Sequence, residues 1–454
     1  MVKYYITTAI DYVNASPHIG HAFEKLIADA LARWHKQKGK NVYFLTGVDE
    51  NAQKNVLAAK KAGIPVKKFV DKNTKFFIEL CKKLNISYDK FIRTSAEEHR
   101  IVVQKILRKI KEKGDIYKGE YEGLYCVGCE AFLTEKDLVD GKCPEHNKKP
   151  EHRKEDAYFF KLSKYKDKLI KFVEKYIVPE SKKNEIVSRL KEGLNDLCIS
   201  RKGVDWGIDF SDDKNFKVYV WVDALINYIS GAEDKWPADV HVIGKGINWF
   251  HSVIWPALLM SAGYKLPNKL LVHGYLNLKG KKISKSSGNI IDPINLIDKY
   301  GGDAVRYSLF RCSVFEDSDF SEKILIQRNN DELANKLGNL VSRVSSLAEK
   351  YGIEKTNNKL IKKLDKRKIE RHFNSFELDK ALDEIFRFID ACNEYVQGKK
   401  PWETKDKKVL YELVESIKEI AKLLGPFIPE SASKIQRTFK GKIKKSEVLF
   451  EKIK

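Results

Sequence analysis

The opening of the chain sets an amphipathic helical pattern between two apolar, strand-like runs, and that order leaves few folds open. Tyr4-Tyr5-Ile6-Thr7-Thr8-Ala9-Ile10 reads as a buried strand and Asn41-Val42-Tyr43-Phe44-Leu45-Thr46-Gly47 as a second. Between them Phe23, Leu26, Ile27, Ala30 and Trp34 recur at three- and four-residue spacing, with Ser16-Pro17 upstream as a start signal. Strand, helix and strand in this sequence open a parallel α/β sheet.

From about Asp115 to Asp213 the pattern is interrupted by a segment holding a cysteine cluster. It resumes with Val218-Tyr219-Val220-Trp221-Val222, His241-Val242-Ile243-Gly244 and Leu270-Leu271-Val272-His273-Gly274-Tyr275, and a polar Gly/Ser/Lys loop then runs to about Asn289. Beyond Asp303 the chain turns helical, and from Asp331 it carries long charged segments with apolar 3.6-residue periodicity. We therefore expect a first domain split over 1–114 and 213–302, an insertion at 115–212, a linking stem at 303–330 and an α-helical domain at 331–454. A chain of 454 residues is too long for one core, which agrees with this division.

Lys and Arg outnumber Asp and Glu by 85 to 63, a net charge of +22 that would draw a polyanion such as nucleic acid. Lys is scattered along the chain, so a merely basic surface is the competing reading. No stretch approaches the roughly 20 apolar residues of a membrane helix, and the N-terminus lacks the basic and apolar regions of a signal peptide. A cytoplasmic protein with no membrane association is expected. Seven cysteines, few of them clustered, argue against a disulfide framework and for a metal site among reduced thiols.

Three strings carry chemistry. Pro17-His18-Ile19-Gly20-His21 follows the first strand and opens the first helix, where unpaired amides and partial positive charge favour phosphate. Gly20 permits close approach, and two imidazoles one turn apart can donate to phosphate oxygens. Lys282-Ile283-Ser284-Lys285-Ser286, between Gly280 and Gly288, is a cationic, hydroxyl-bearing loop suited to a triphosphate. Cys126-Val127-Gly128-Cys129 followed by Cys143-Pro144-Glu145-His146 is a C-x2-C then C-x2-H pair, a complete tetrahedral zinc set and hence a closed, structural site. His152 is the one substitute for His146. Cys81, Cys198, Cys312 and Cys392 read as buried apolar residues.

The two phosphate-binding strings, in this order, resemble the signature motifs of the class I aminoacyl-tRNA synthetases, with Ile283 in place of a usual Met. Further strings narrow the resemblance to the methionyl-tRNA synthetase family. They are Ala9-Ile10-Asp11-Tyr12, Asp49, Trp221-Val222-Asp223-Ala224 with Tyr228, and Trp249-Phe250-His251. The resemblance implies a Rossmann-like catalytic domain split by a zinc-knuckle insertion and followed by an anticodon-binding domain. It implies that L-methionine and Mg2+-ATP form an adenylate, with methionine then passed to the terminal ribose of tRNA(Met). His18, His21, Lys282 and Lys285 would be catalytic, and ATP would be held by His18, Gly20, His21, Gly244, Lys282, Ser284, Lys285 and Ser286. Asp49 and the Ile10 backbone would hold the methionine ammonium. Trp221, Ala224, Leu225, Tyr228 and Phe250 would wall its side chain, with Tyr12 and His251 near the sulfur. In the helical domain Asn339, Arg343, Asn393 and Trp402 would face the CAU anticodon.

Two departures stand out: Asn51-Ala52 occupies the place where relatives commonly carry His-Gly, and Gly246 the place where many carry Asp. The chain ends at Lys454, just past the helical domain, so a monomer is expected. The competing functions are a class I synthetase for another amino acid and a non-catalytic RNA-binding paralogue. The insertion is too short for the editing domain of the leucine and valine enzymes, and retention of both phosphate motifs with Asp49 and Trp221 argues against the paralogue.

Overall fold

The computed structural model describes residues 3–128, 131–133, 135–210, 213–278, 281–282 and 291–453. Six parallel strands form its central sheet: β1 (Lys3–Tyr12), β2 (Asn41–Asp49), β3 (Lys90–Arg93), β4 (Ile177–Val178), β5 (Val240–Gly244) and β6 (Lys269–His273). Their spatial order is β3-β2-β1-β5-β6-β4. From β1 the chain builds outward to β2 and β3 on one side, and it returns much later to lay β5 and β6 on the other. The crevice beyond the carboxyl ends of β1 and β5 is thus a topological switch point, where open α/β sheets bind ligands.

Helix α1 (Ile19–Gln37) follows β1. It starts just downstream of Ser16-Pro17, and the cap is His18, whose ring accepts from the Gly20 amide. The Val218–Val222 run also differs from the expected strand. A strand, Asp213–Val218, ends there and helix α2 (Val220–Ser230) begins, since a short all-apolar run suits a buried helix as well as a buried strand. The insertion builds a four-stranded antiparallel sheet from Ile116–Cys126, Ala131–Leu133, Glu151–Phe160 and Leu197–Cys198. Within residues 115–212, expected to lie wholly outside the central sheet, Ile177–Val178 nonetheless pairs with β6. A two-residue strand leaves no periodicity to detect.

The C-terminal part is helical, with long helices at Asn339–Tyr351, Leu378–Lys399 and Lys407–Leu424. One apolar core runs without a break from α1 and the sheet into these helices, and Trp34 stacks on Phe373 at 4.0 Å and 1° across the join. Arg306, fully buried, pins the same junction: it donates to Asp29 on α1 at 2.7 Å, to Leu84 O at 2.8 Å, to Phe427 O at 2.7 Å and to Pro426 O at 2.8 Å. Burial works against the Asp29 charge, but Arg306, Arg33 and Ser87 outweigh it and hold the carboxyl below its ordinary range. Cys81, Cys198, Cys312 and Cys392 are buried, as expected. Among the described residues no helix is long and apolar enough to cross a membrane.

Candidate active site

A cavity of about 550 Å³ opens at the switch point. The strand register builds its floor: β1 pairs Ile10 with Gly47 and Tyr12 with Asp49, which brings a main-chain segment, a phenol and a carboxylate side by side. Asp49 is 1% exposed, and its Oδ1 accepts from the Asn51 amide at 3.0 Å and from Thr94 Oγ1 at 3.2 Å. A buried carboxylate oriented in this way is suited to an ammonium group.

Helix α2 supplies one wall. Trp221, Ala224, Leu225 and Tyr228 follow the i, i+3, i+4, i+7 spacing of a single face, and all four line the cavity. Phe250 is not a lining residue; it stacks behind Trp221 at 3.8 Å and 9°, fixing the indole plane. Tyr12 meets the same indole edge-on at 6.3 Å. Phe250 opens a π-helical turn, Phe250–Ile254, which also carries His251. Burial lowers the His251 pKa to about 4, so its ring is neutral at physiological pH. Its Nδ1–H donates to Ile247 O at 3.0 Å, which leaves Nε2 to accept the Tyr228 hydroxyl at 2.7 Å. The result is an aromatic pocket in which the Tyr228 hydroxyl is turned onto His251, suited to an apolar, polarizable side chain.

The α1 N-terminus supplies the other chemistry. His18 Nδ1 accepts from the Gly20 amide at 3.1 Å, and His21 Nδ1 accepts from the His18 amide at 3.0 Å. The two rings stack at 3.7 Å and close a capping box built from imidazoles. Since both Nδ1 atoms accept, each neutral ring carries its hydrogen on Nε2. The hydroxyl or carboxylate of an ordinary cap is thereby replaced by two N–H donors at the positive end of a helix.

Thirteen expected residues fall as follows. Ile10, Tyr12, His18, Gly20, His21, Asp49, Trp221, Ala224, Leu225, Tyr228, Gly244 and His251 line this one cavity, and Phe250 backs it. Lys282 lies in a short strand, Lys281–Lys282, antiparallel to Leu276–Leu278, whereas Ser284, Lys285 and Ser286 lie outside the described residues. Glu24, Lys54, His273 and Tyr275, which no motif marks, also line the cavity. Glu24 Oε2 accepts from the Gly244 amide at 3.1 Å and pairs with His273 at 3.2 Å, while its Oε1 is buried with no hydrogen-bond partner among the described residues. The available signal was an acidic residue three positions after His21, among apolar neighbours on α1.

In the insertion, Cys126 Sγ, Cys143 Sγ and a His146 ring nitrogen lie within 4.8 Å of one another, a spacing a metal ion can bridge. Cys129 is outside the described residues. A Cβ at Gly128 would lie 2.5 Å from the His146 ring, so only glycine lets the imidazole close over the first knuckle. His152 stands apart, exposed and 3.5 Å from Glu122, which favours His146 as the histidine of the set. In the helical domain Arg343 and Trp402 are exposed together, the guanidinium 6.0 Å from the ring centre. Asn339 is exposed nearby in sequence, whereas the Asn393 amide donates to Lys336 O at 3.3 Å and Ile389 O at 3.2 Å.

The family model described as tRNA synthetases class I (M) matches residues 4–149 and 136–345, and the anticodon-binding domain of tRNA ligase matches 353–453. The methionine--tRNA ligase of Clostridium tetani is 44% identical over 95% of this chain and 73% of its own length. That of Rickettsia conorii is 42% identical over 95% of this chain and 92% of its own. Mycobacterium tuberculosis methionyl-tRNA synthetase, solved in complex with methionyl-adenylate, superposes with a TM-score of 0.92 at 38% identity, covering 96% of this chain and 93% of that one. With fold, motifs and relatives in agreement over nearly its whole length, the chain belongs to the methionyl-tRNA synthetase family of class I aminoacyl-tRNA synthetases.

Proposed function

We propose that this chain activates L-methionine with ATP and transfers it to tRNA(Met). The observation that carries the reading is the single cavity joining a buried carboxylate and an aromatic pocket to two imidazole N–H donors at a helix N-terminus. Asp49, with the Ile10 carbonyl, holds the methionine ammonium. Trp221, Ala224, Leu225 and Tyr228 enclose the side chain, and Phe250 holds the indole in place. Tyr12 and neutral His251 lie near the sulfur.

The methionine carboxylate attacks the α-phosphorus in line; an O–P bond forms as the bond to the β-phosphate breaks, and pyrophosphate leaves. No enzyme nucleophile is needed, so catalysis rests on positioning and charge stabilisation. His18 and His21 donate to the phosphates, and Lys285, helped by Lys282, neutralises the departing pyrophosphate. Gly20 and Gly244 admit the nucleotide to the main chain, Ser284 and Ser286 add donors, and Mg2+ accompanies ATP. A tRNA ribose hydroxyl then attacks the methionyl carbonyl and AMP departs.

The helical domain selects the tRNA. Trp402 stacks on an anticodon base, with Arg343, Asn339 and Asn393 beside it. Stacking of this kind is worth about 1–3 kcal/mol per base. Trp402→Ala should therefore reduce charging of tRNA by about tenfold or more while leaving adenylate formation at the parent rate; equal losses in both assays would contradict the assignment. Charging of tRNA(Met) transcripts with intact and altered CAU anticodons tests the function as a whole.

Zinc at Cys126, Cys129, Cys143 and His146 fits the buried Cys126 and Cys143 thiols and holds the insertion together. Chelation is expected to release one zinc equivalent and to raise hydrogen exchange in 116–160 while the central sheet stays protected. Unchanged exchange after metal loss would overturn the structural role.

A further inference from the structure

The Gly244-Lys245-Gly246 turn leaves β5 at the cavity wall, and Tyr275 follows β6 beside it. A Cβ on Gly246 would lie 2.1 Å from Tyr275 Oη but 3.5 Å from its Cζ. The phenolic oxygen therefore fills the space where any other side chain at 246 would begin, and the steric conflict concerns the hydroxyl alone. The ring is held in place. Its main-chain amide donates to Asp317 Oδ1 at 2.9 Å, and Lys245 bridges both Asp317 oxygens at 2.8 and 2.7 Å. The same ammonium stands 4.7 Å over the Tyr275 ring. A Cβ on Gly244 would be 3.7 Å from Tyr275 Cε1, so the ring runs along the turn.

The wall built from β1, β2 and α2 is committed to methionine in the reading above, and the wall built from β5 and β6 is left for the nucleoside. That second wall presents glycine main chain and the Tyr275 phenol, and Glu24 of α1 backs it by accepting from the Gly244 amide at 3.1 Å and pairing with His273 at 3.2 Å. A phenolic hydroxyl, able to donate and to accept, beside bare backbone suits a ribose hydroxyl. We propose that Tyr275 is a nucleotide-binding residue whose hydroxyl, seated in the space Gly246 leaves open, hydrogen-bonds a ribose hydroxyl of ATP. The proposal rests on the assignment of this cavity to methionine and ATP.

The test is methionine-dependent pyrophosphate exchange with ATP, 2′-deoxyATP and 3′-deoxyATP on the parent, Tyr275→Phe, Gly246→Ala and the double variant. One hydrogen bond of this kind corresponds to about three- to tenfold. Tyr275→Phe should raise KM for ATP by that factor with KM for methionine unchanged, and should lose the parent's penalty for one of the two deoxynucleotides. Gly246→Ala should impair the parent by displacing the hydroxyl, yet add nothing to Tyr275→Phe, where the clashing atom is gone. An unchanged KM for ATP with undiminished deoxynucleotide penalties, or an equal rise in both KM values, would overturn the proposal. Absence of exchange in the folded parent would instead strike the cavity assignment, and the proposal with it.

Discussion

Asp49→Asn is expected to lower kcat/KM for methionine in pyrophosphate exchange by about a hundredfold or more, with KM for ATP unchanged. The carboxylate is 1% exposed and lies opposite Tyr12 in the β1–β2 register. Asparagine keeps an oxygen for the Asn51 amide and Thr94 hydroxyl, so the local hydrogen bonds survive and thermal stability should stay near the parent. What disappears is the negative charge proposed to pair with the ammonium. Leaving a buried charge without its partner typically costs about 3–5 kcal/mol, and each 1.4 kcal/mol is tenfold. Parent-like activation by Asp49→Asn would remove Asp49 from the ammonium site.

His21→Ala separates two contributions that one side chain makes. As a cap, its Nδ1 accepts the His18 amide, and loss of a cap costs about 1 kcal/mol of stability. In the donor role proposed for it, its Nε2–H, 3.8 Å from Asp11 Oδ1 in the free protein, would turn to developing phosphate charge, and loss of one such donor costs about 3 kcal/mol of barrier, on the order of a hundredfold in rate. Adenylation should thus fall on the order of a hundredfold, with methionine affinity retained and a melting temperature only a few degrees lower. A rate loss no larger than the stability loss would reduce the residue to a structural cap.

Much of this site was legible because its residues lie at fixed offsets within single elements. The imidazoles sit at a helix start, and Trp221, Ala224, Leu225 and Tyr228 share one helical face. The α1 helix shows where that legibility stops. Its apolar stripe was plain, but Glu24, Lys25 and Asp29 are also buried on it. Each is matched by a partner distant in sequence: His273 for Glu24, Asp11 for Lys25, Arg306 for Asp29. Burial alone would lower the Lys25 pKa, yet Asp11, with Cys81 and Glu24, outweighs it and the net shift is upward. A charge normally marks solvent. Apart from Arg33, one turn on from Asp29, the fold brings in the compensating groups, so periodicity could not reveal that the helix is enclosed nearly all round. The β4 edge strand and the Gly246–Tyr275 contact escaped for the same reason, since one is too short for a pattern and the other joins the ends of two separate strands.

The most direct measurement is exchange of labelled pyrophosphate into ATP without tRNA, run with each of the common amino acids. Exchange with methionine alone is expected. Exchange driven by another amino acid would contradict the pocket assignment, and no exchange from folded, zinc-loaded protein would contradict the activity itself.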